Sequence, residues 1–127
     1  MAPLPPYGEL LGLEARRDEE GALTFVMPFG DNVLGRPGFV HGGAIAGLLE
    51  FAAFGALDEA LEDEAVTMKP INVAVTFLRG GVDRDTFAAA SVARLGKRIA
   101  NVEAHAWQTS RDKPIAAAAM NLLLKRG

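Results

Sequence analysis

Residues 43–57 form the longest apolar run in the chain, and Glu50 is the one charged residue within it. Because nothing between residues 43 and 62 breaks a helix, the run predicts a helix that is apolar on nearly every side. Such a helix has no polar face to turn towards water, so it has to be buried. The run is also shorter than the roughly 20 apolar residues that cross a bilayer. We therefore predict a buried helix and no membrane span.

The end of this predicted helix is strongly acidic. Five of the seven residues 58–64 are Asp or Glu. Negative charge is unfavourable at a helix C-terminus because it lies at the negative end of the helix dipole. We expect this end to be well solvated.

The rest of the sequence favours strands. Residues 71–78 alternate between two faces, and polar or Gly-containing turns separate two pairs of strand-like segments. Residues 114–124 contain four consecutive alanines, which favour a helix by propensity. They follow a strand after a short turn, however, and we predict a strand there. The predicted strands are residues 12–17, 22–27, 71–78, 86–95, 99–109 and 114–124.

These elements predict an α+β fold in which an antiparallel sheet of about six strands wraps around one long buried helix. On one face of the segment 99–109, small residues are predicted to pack close to the helix. Residues 1–9 contain three prolines and are expected to form an irregular arm, and residues 10–127 a single domain. The small residues on this face of the segment 99–109 are Ala100, Val102, Ala104 and Ala106.

The composition argues against several kinds of function. The chain has no cysteine and two histidines, which excludes a thiolate nucleophile and a sulfur-based zinc site. Its 13 basic and 16 acidic residues give a net charge of -3, which does not favour binding to nucleic-acid phosphates. The N-terminus lacks a basic region followed by an apolar run, so we expect no signal peptide and a cytoplasmic protein.

The strongest candidate site lies where the buried helix begins. The backbone N–H groups of Gly42 and Gly43 lie at the positive end of the helix dipole, where no side chain blocks an approaching oxygen. Glu50 is eight residues beyond Gly42, or about 12 Å at the helical rise. Because one chain cannot bring the two together, any site that combines them needs two chains.

Glu50 and His41 each have two interpretations. An ionised carboxylate among apolar neighbours is costly to bury, which suits Glu50 to act as a base or a nucleophile. The alternative is a buried carboxylate paired with an arginine or with backbone N–H groups. For His41 the alternatives are proton transfer and a hydrogen bond that orients the loop.

Several segments resemble the hotdog-fold acyl-CoA thioesterases, specifically the phenylacetate-pathway-like branch of the 4-hydroxybenzoyl-CoA thioesterase superfamily. The most characteristic is an HGG motif followed by an acid nine residues after the histidine, formed here by His41 and Glu50. The resemblance covers roughly residues 10–124. Its segments read LLGLEARRDEEGALTFVMPF, HGGAIAGLLEFA, NVAVTFLRG and RLGKRIANVEAHAWQ.

This resemblance implies that the protein hydrolyses an acyl- or aryl-CoA to the free acid and CoA. The Gly42 N–H would polarise the thioester carbonyl, and Glu50 of the neighbouring subunit would act as nucleophile or general base. His41 would position the loop or the thioester. Asn32 would orient substrate or water, although it lies nine residues before His41, where related sequences have about six.

The resemblance also implies a set of substrate-binding residues and an assembly. Cationic residues would meet the CoA phosphates, although each is also typical of a solvated turn. Some relatives carry a polar Thr or Ser where this chain has Phe54. CoA is part of the substrate and no cofactor or metal is implied, while the assembly would be a homo-oligomer, either a dimer or a tetramer. The implied binding residues are Gly43, Arg79, Lys97, Arg98, Phe54 and Met68.

Two other functions remain compatible with the sequence. A non-catalytic hotdog module that binds or senses CoA thioesters would need Gly42 and the cationic residues but not Glu50. A hotdog dehydratase would need an Asp/His pair on one helix, which the HGG motif with Glu50 does not match. The fold by itself does not decide among these functions.

Overall fold

The structure is a computed structural model, and it describes residues 4–62 and 65–126. In this part of the chain one long helix lies against a six-stranded antiparallel sheet, which confirms the predicted α+β architecture. None of the helices described has the length and hydropathy needed to cross a bilayer. The helices are α1 (Pro6–Leu10), a 3-10 turn (Asp31–Val33) and α2 (Gly42–Leu61), and the strands are β1 (Glu14–Arg17), β2 (Leu23–Met27), β3 (Val66–Phe77), β4 (Thr86–Leu95), β5 (Ile99–Trp107) and β6 (Ala116–Arg126).

The sheet encloses α2 because it turns a surface of small residues towards the helix. The predicted small face of β5 is buried, and so are Ala116 and Ala118 of β6. Leu48 and Leu49 of α2 have no exposed surface at all. Side chains the size of a methyl group let the helix backbone come close to the strands, so the leucines of α2 fill the space between the layers.

The strand predicted at residues 114–124 is confirmed as β6, which carries the four consecutive alanines and runs from Ala116 to Arg126. Ala116 pairs with Ala106 of β5 on one side and with Phe77 of β3 on the other. Hydrogen-bond partners on both edges outweigh the intrinsic helix preference of alanine.

Strand β3 begins at Val66 rather than at residue 71, because its first residues pair with the end of β6. In the order β1-β2-β4-β5-β6-β3, strand β3 has a neighbour on one side only. An edge strand tolerates Pro70, which has no N–H to donate. The register shifts between Pro70 and Asn72, so a β-bulge leaves Ile71 without an opposing residue.

The N-terminal segment differs from the expected irregular arm. Helix α1 begins at Pro6, and proline is tolerated at the first position of a helix. The ring of Tyr7 stacks on Phe51 of α2 at a centroid distance of 6.4 Å. Packing on α2 thus orders a segment whose prolines suggested irregular chain. Residues 1–3 of the expected arm, and 63–64 of the acidic stretch, lie outside the described residues.

The close contact between helix and sheet predicts a difference between two neighbouring alanines. Ala118 faces α2 and is 8% exposed, whereas Ala119 lies exposed on the other face of the sheet. Ala118→Leu should lower the free energy of unfolding by about 1–3 kcal/mol, because the added carbons have no space. Ala119→Leu should change it by less than about 0.5 kcal/mol. Urea denaturation measures both, and equal losses would contradict a tightly filled interface.

Candidate active site

His41 caps the start of α2. Its Nδ1 accepts a hydrogen bond from the Gly43 N–H at 2.9 Å, so the neutral ring carries its proton on Nε2. The N–H groups of Ala44 and Ile45 donate to the His41 carbonyl oxygen at 3.0 and 3.1 Å. Among the described residues, no hydrogen bond uses the N–H of Gly42. Of the two N–H groups predicted to hold an oxygen, that of Gly42 is available and that of Gly43 is engaged by His41.

A cavity of about 530 Å³, which we name the helix-start cavity, opens beside Gly42. His41 and Arg79 also line it, so three of the predicted site residues meet there. Phe77 of β3 forms one wall and lies so close that a Cβ added at Gly42 would contact its ring at 3.4 Å. The glycine therefore leaves a narrow approach to its own N–H.

Two arginines give the helix-start cavity a positive charge. The Arg79 guanidinium donates to the carbonyl oxygen of Pro114 at 2.6 Å, which fixes its position. Arg36 also lines the cavity, and its guanidinium lies 4.6 Å from the centre of the Phe39 ring. Arg36 was not among the predicted site residues. Its signal was a lone cation in the Gly- and Pro-rich loop that leads to the HGG motif.

Glu50 lines a second cavity of about 710 Å³, which we name the helix-side cavity. This cavity also contains Phe54 and Met68, so these three predicted residues lie together. Glu50 is half-buried. Within the described ranges, no hydrogen bond or ion pair involves its carboxylate. The alternative of a buried carboxylate held by an arginine is therefore not what the structure contains.

The two cavities are separate within one chain. Gly42 lines the first and Glu50 the second, and both belong to the same rigid helix. Their separation of about 12 Å along α2 is too large for one thioester group to contact both.

Lys97 and Arg98 line a third cavity of about 650 Å³, together with Lys69 and Lys125. This cavity lies at the end of the sheet where Val66 pairs with Arg126, whereas Arg79 lies just beyond the other end of β3. The structure therefore does not bring Lys97 and Arg98 together with Arg79 in one chain.

Asn32 has a different environment from the one that the resemblance implied. Its side-chain amide donates to the carbonyl oxygen of Leu10 at 2.7 Å. Asn32 is exposed and lines none of the three cavities described above. This hydrogen bond joins the loop before α2 to the end of α1.

One end of the helix-side cavity is acidic. Arg17 of β1 donates to both carboxylate oxygens of Glu59, which lowers the pKa of Glu59 and raises the pKa of Arg17. Both side chains are exposed, so this pair contributes little to stability. Asp58 and Glu62 line the same end, and neither forms an ion pair with another described residue.

Comparison with known proteins identifies relatives of this chain by sequence and by fold. Residues 34–123 match the acyl-CoA thioesterase N-terminal domain family. A Bacillus halodurans protein crystallised with CoA superimposes with a TM-score of 0.87 at 22% identity, covering 98% of this chain and 81% of that chain. A phenylacetic acid degradation-related protein of Ralstonia eutropha JMP134 has a TM-score of 0.81 at 26% identity, with 96% and 92% covered. A Chromobacterium violaceum protein is 35% identical over 94% of this chain and 83% of that chain, with a TM-score of 0.75. No curated protein sequence is significantly similar to this chain.

The His41 cap predicts the effect of two substitutions. His41→Ala removes the acceptor for the Gly43 N–H and should lower the free energy of unfolding by about 1 kcal/mol. His41→Asn supplies another side-chain acceptor at the same position and should recover most of that loss. Thermal or urea unfolding of the two variants measures the difference. If both variants lost the same stability, the contribution of the cap would be refuted.

Proposed function

The chain belongs to the acyl-CoA thioesterase family, and on this basis we propose that it hydrolyses acyl-CoA at a site shared by two subunits. The hotdog fold and the family that the sequence resembles are both confirmed, and the protein is a thioester hydrolase. The family match favours hydrolysis over the non-catalytic module and the dehydratase. The proposal concerns the residues that carry the reaction and the way two chains combine them.

One observation carries the proposal. The Gly42 N–H at the helix start and the Glu50 carboxylate have no partner among the described residues, and they open into separate cavities of one chain. A thioester needs a donor on its carbonyl oxygen and a nucleophile or base beside its carbonyl carbon. A second chain that turns its Glu50 towards this Gly42 supplies both.

The open edge of β3 supports such a pairing. Ile71 and Phe77 on this strand are 52% and 54% exposed, although both are large apolar residues. An unpaired strand edge favours addition of another strand, and a two-fold pairing of β3 with its own copy would continue the sheet. Antiparallel pairing would set the Val66 end of one chain beside the Phe77 end of the other. The two α2 helices would then run antiparallel, with each Glu50 towards the partner's helix start.

In this arrangement the thioester carbonyl oxygen accepts a hydrogen bond from the Gly42 N–H. Glu50 of the other chain either takes a proton from water, whose oxygen attacks the carbonyl carbon, or attacks that carbon itself. In both cases the carbonyl electrons move to the oxygen, where the N–H and the helix dipole stabilise the negative charge. The intermediate then collapses and expels the CoA thiolate, which takes up a proton. In the nucleophilic route, water hydrolyses the resulting anhydride and regenerates Glu50.

The remaining predicted residues have supporting roles in this proposal. Arg79 and Arg36 in the helix-start cavity would meet the CoA phosphates, while Gly43 would hold His41 in place through its N–H. Lys97 and Arg98 would reach CoA only in the assembly, where antiparallel pairing brings their end of the sheet near the partner's helix start. Asn32 would fix the loop through α1 instead of contacting substrate. The minimal assembly is a dimer, and a tetramer would be two such dimers.

Glu50→Gln tests the role of the carboxylate. The amide keeps the size of the side chain but can neither take a proton from water nor attack a carbonyl, so kcat should fall by about 10²–10⁴-fold. Release of CoA thiol from a panel of acyl-CoA esters measures kcat. Binding of a non-hydrolysable CoA thioether to the same variant should be retained. Full turnover by Glu50→Gln would reject this mechanism.

Gly42→Pro tests the N–H itself. Gly42 is the first residue of α2, where proline is tolerated, and His41 has the extended backbone (φ -63°, ψ 133°) that a following proline requires. The substitution removes the N–H and adds the carbons of the proline ring, so kcat should fall about 10²–10³-fold if the N–H holds the carbonyl oxygen. Gly42→Ala adds a similar Cβ but keeps the N–H, and it should retain more activity than Gly42→Pro.

The same variants test whether each site draws on two chains. Gly42→Pro and Glu50→Gln subunits, each nearly inactive alone, should regain roughly a quarter of native activity when mixed after reversible dissociation. Half of the randomly formed dimers are then mixed, and each mixed dimer has one intact site. No recovery, despite mixed dimers detected by native mass spectrometry, would place both residues in one chain's site.

A further inference from the structure

The helix-side cavity has walls that suit an apolar group. Rings or alkyl chains of Tyr7, Phe25, Phe51, Phe54 and Met68 line it, and Glu50 lies among them. Its volume of about 710 Å³ is in the range of small-molecule pockets. Under the proposed function, the thioester carbonyl lies beside Glu50. The acyl group attached to that carbonyl is therefore the part of the substrate that can enter this cavity.

Two glycines of α2 allow the walls to form. A Cβ added at Gly47 would come within 2.8 Å of the Tyr7 ring, and one added at Gly55 within 2.8 Å of the Phe25 ring. These distances are shorter than real carbon contacts, so the rings can lie against the helix only where it has glycine. The N-terminal segment and β2 thereby come close enough to α2 to enclose the cavity.

The far end of the cavity is negatively charged. Asp58 lies eight residues beyond Glu50, about 12 Å along the helix, and Glu62 lies one turn further. Both carboxylates line the cavity, and neither has an ion-pair partner among the described residues. The neighbouring Glu59 is neutralised by Arg17. An acyl group extending along α2 from Glu50 would pass aromatic rings and end beside the carboxylates of Asp58 and Glu62.

We infer that the helix-side cavity is an acyl chamber that accepts uncharged apolar acyl groups and rejects those ending in a carboxylate. The inference rests on the proposed function and specifies its substrate class. A terminal carboxylate would lose its hydration among the aromatic walls, which is costly for an unpaired charge. A long one would also meet the like charges of Asp58 and Glu62.

Pairs of CoA esters that differ only in a terminal carboxylate test this inference. Decanoyl-CoA should have a kcat/KM at least about tenfold higher than that of decanedioyl-CoA. Hexanoyl-CoA should likewise be preferred to hexanedioyl-CoA. Equal values within either pair would overturn the inference while leaving the proposed function intact. Absence of turnover with every ester, neutral ones included, would instead reject the proposed function and this inference with it.

Neutral substitutions separate the acidic end from the apolar walls. The double variant Asp58→Asn, Glu62→Gln should raise the ratio of kcat/KM for decanedioyl-CoA to that for decanoyl-CoA about fivefold, because it removes the like charges that only the terminal carboxylate meets. Hexanedioyl-CoA is too short to reach them and should gain less. The control is the double variant Glu103→Gln, Glu14→Gln. Both residues are exposed and lie away from the cavity, and the variant changes the net charge by the same amount. If the ratio of kcat/KM for decanedioyl-CoA to that for decanoyl-CoA rose as much in that control, the effect would belong to overall charge, and the role of the chamber's acidic end would be overturned.

Discussion

The enclosure of an almost wholly apolar helix is the constraint on which the other features of this molecule depend. Helix α2 can be buried because β5 and β6 present alanines to it, which lets a single sheet approach closely. The same contact fixes the helix as a rigid body. Gly42 at its first turn and Glu50 in its third are therefore held at a constant separation, and neither can move towards the other.

Much of the fold could be predicted because its signals are local. The apolar run gave α2 to within one residue at each end, and the alternation and turns gave β4 with its observed bounds. The early start of β3 could not be predicted in this way, since Val66 joins the sheet only through a partner, Arg126, that is remote in sequence. Helix α1 was missed for a similar reason. Its order comes from Tyr7 packing on Phe51 of α2, a contact that no local pattern records.

For the candidate site, the sequence indicated the residue types better than their grouping. His41, Gly42 and Arg79 share one cavity, and Glu50, Phe54 and Met68 share another, as the argument from helix length requires. The engagement of the Gly43 N–H by His41 depends on a side-chain rotamer, which spacing does not determine. Lys97, Arg98 and Arg79 were all expected to meet the CoA phosphates, an expectation that came from the resemblance and from their charge. Their separation follows from the direction of the strands, which becomes known only with the topology.

The exposed edge of β3 has a consequence for the protein before it assembles. The strand is 12 residues long, and only one of its edges is hydrogen-bonded to a neighbour in the described sheet. A newly folded chain that has not met its copy presents a long apolar template to any extended polypeptide nearby. Pro70 and the bulge at Ile71 interrupt that template near its middle. They shorten the stretch of edge with which a foreign strand can pair, so substitutions that straighten this strand should favour edge-to-edge aggregation.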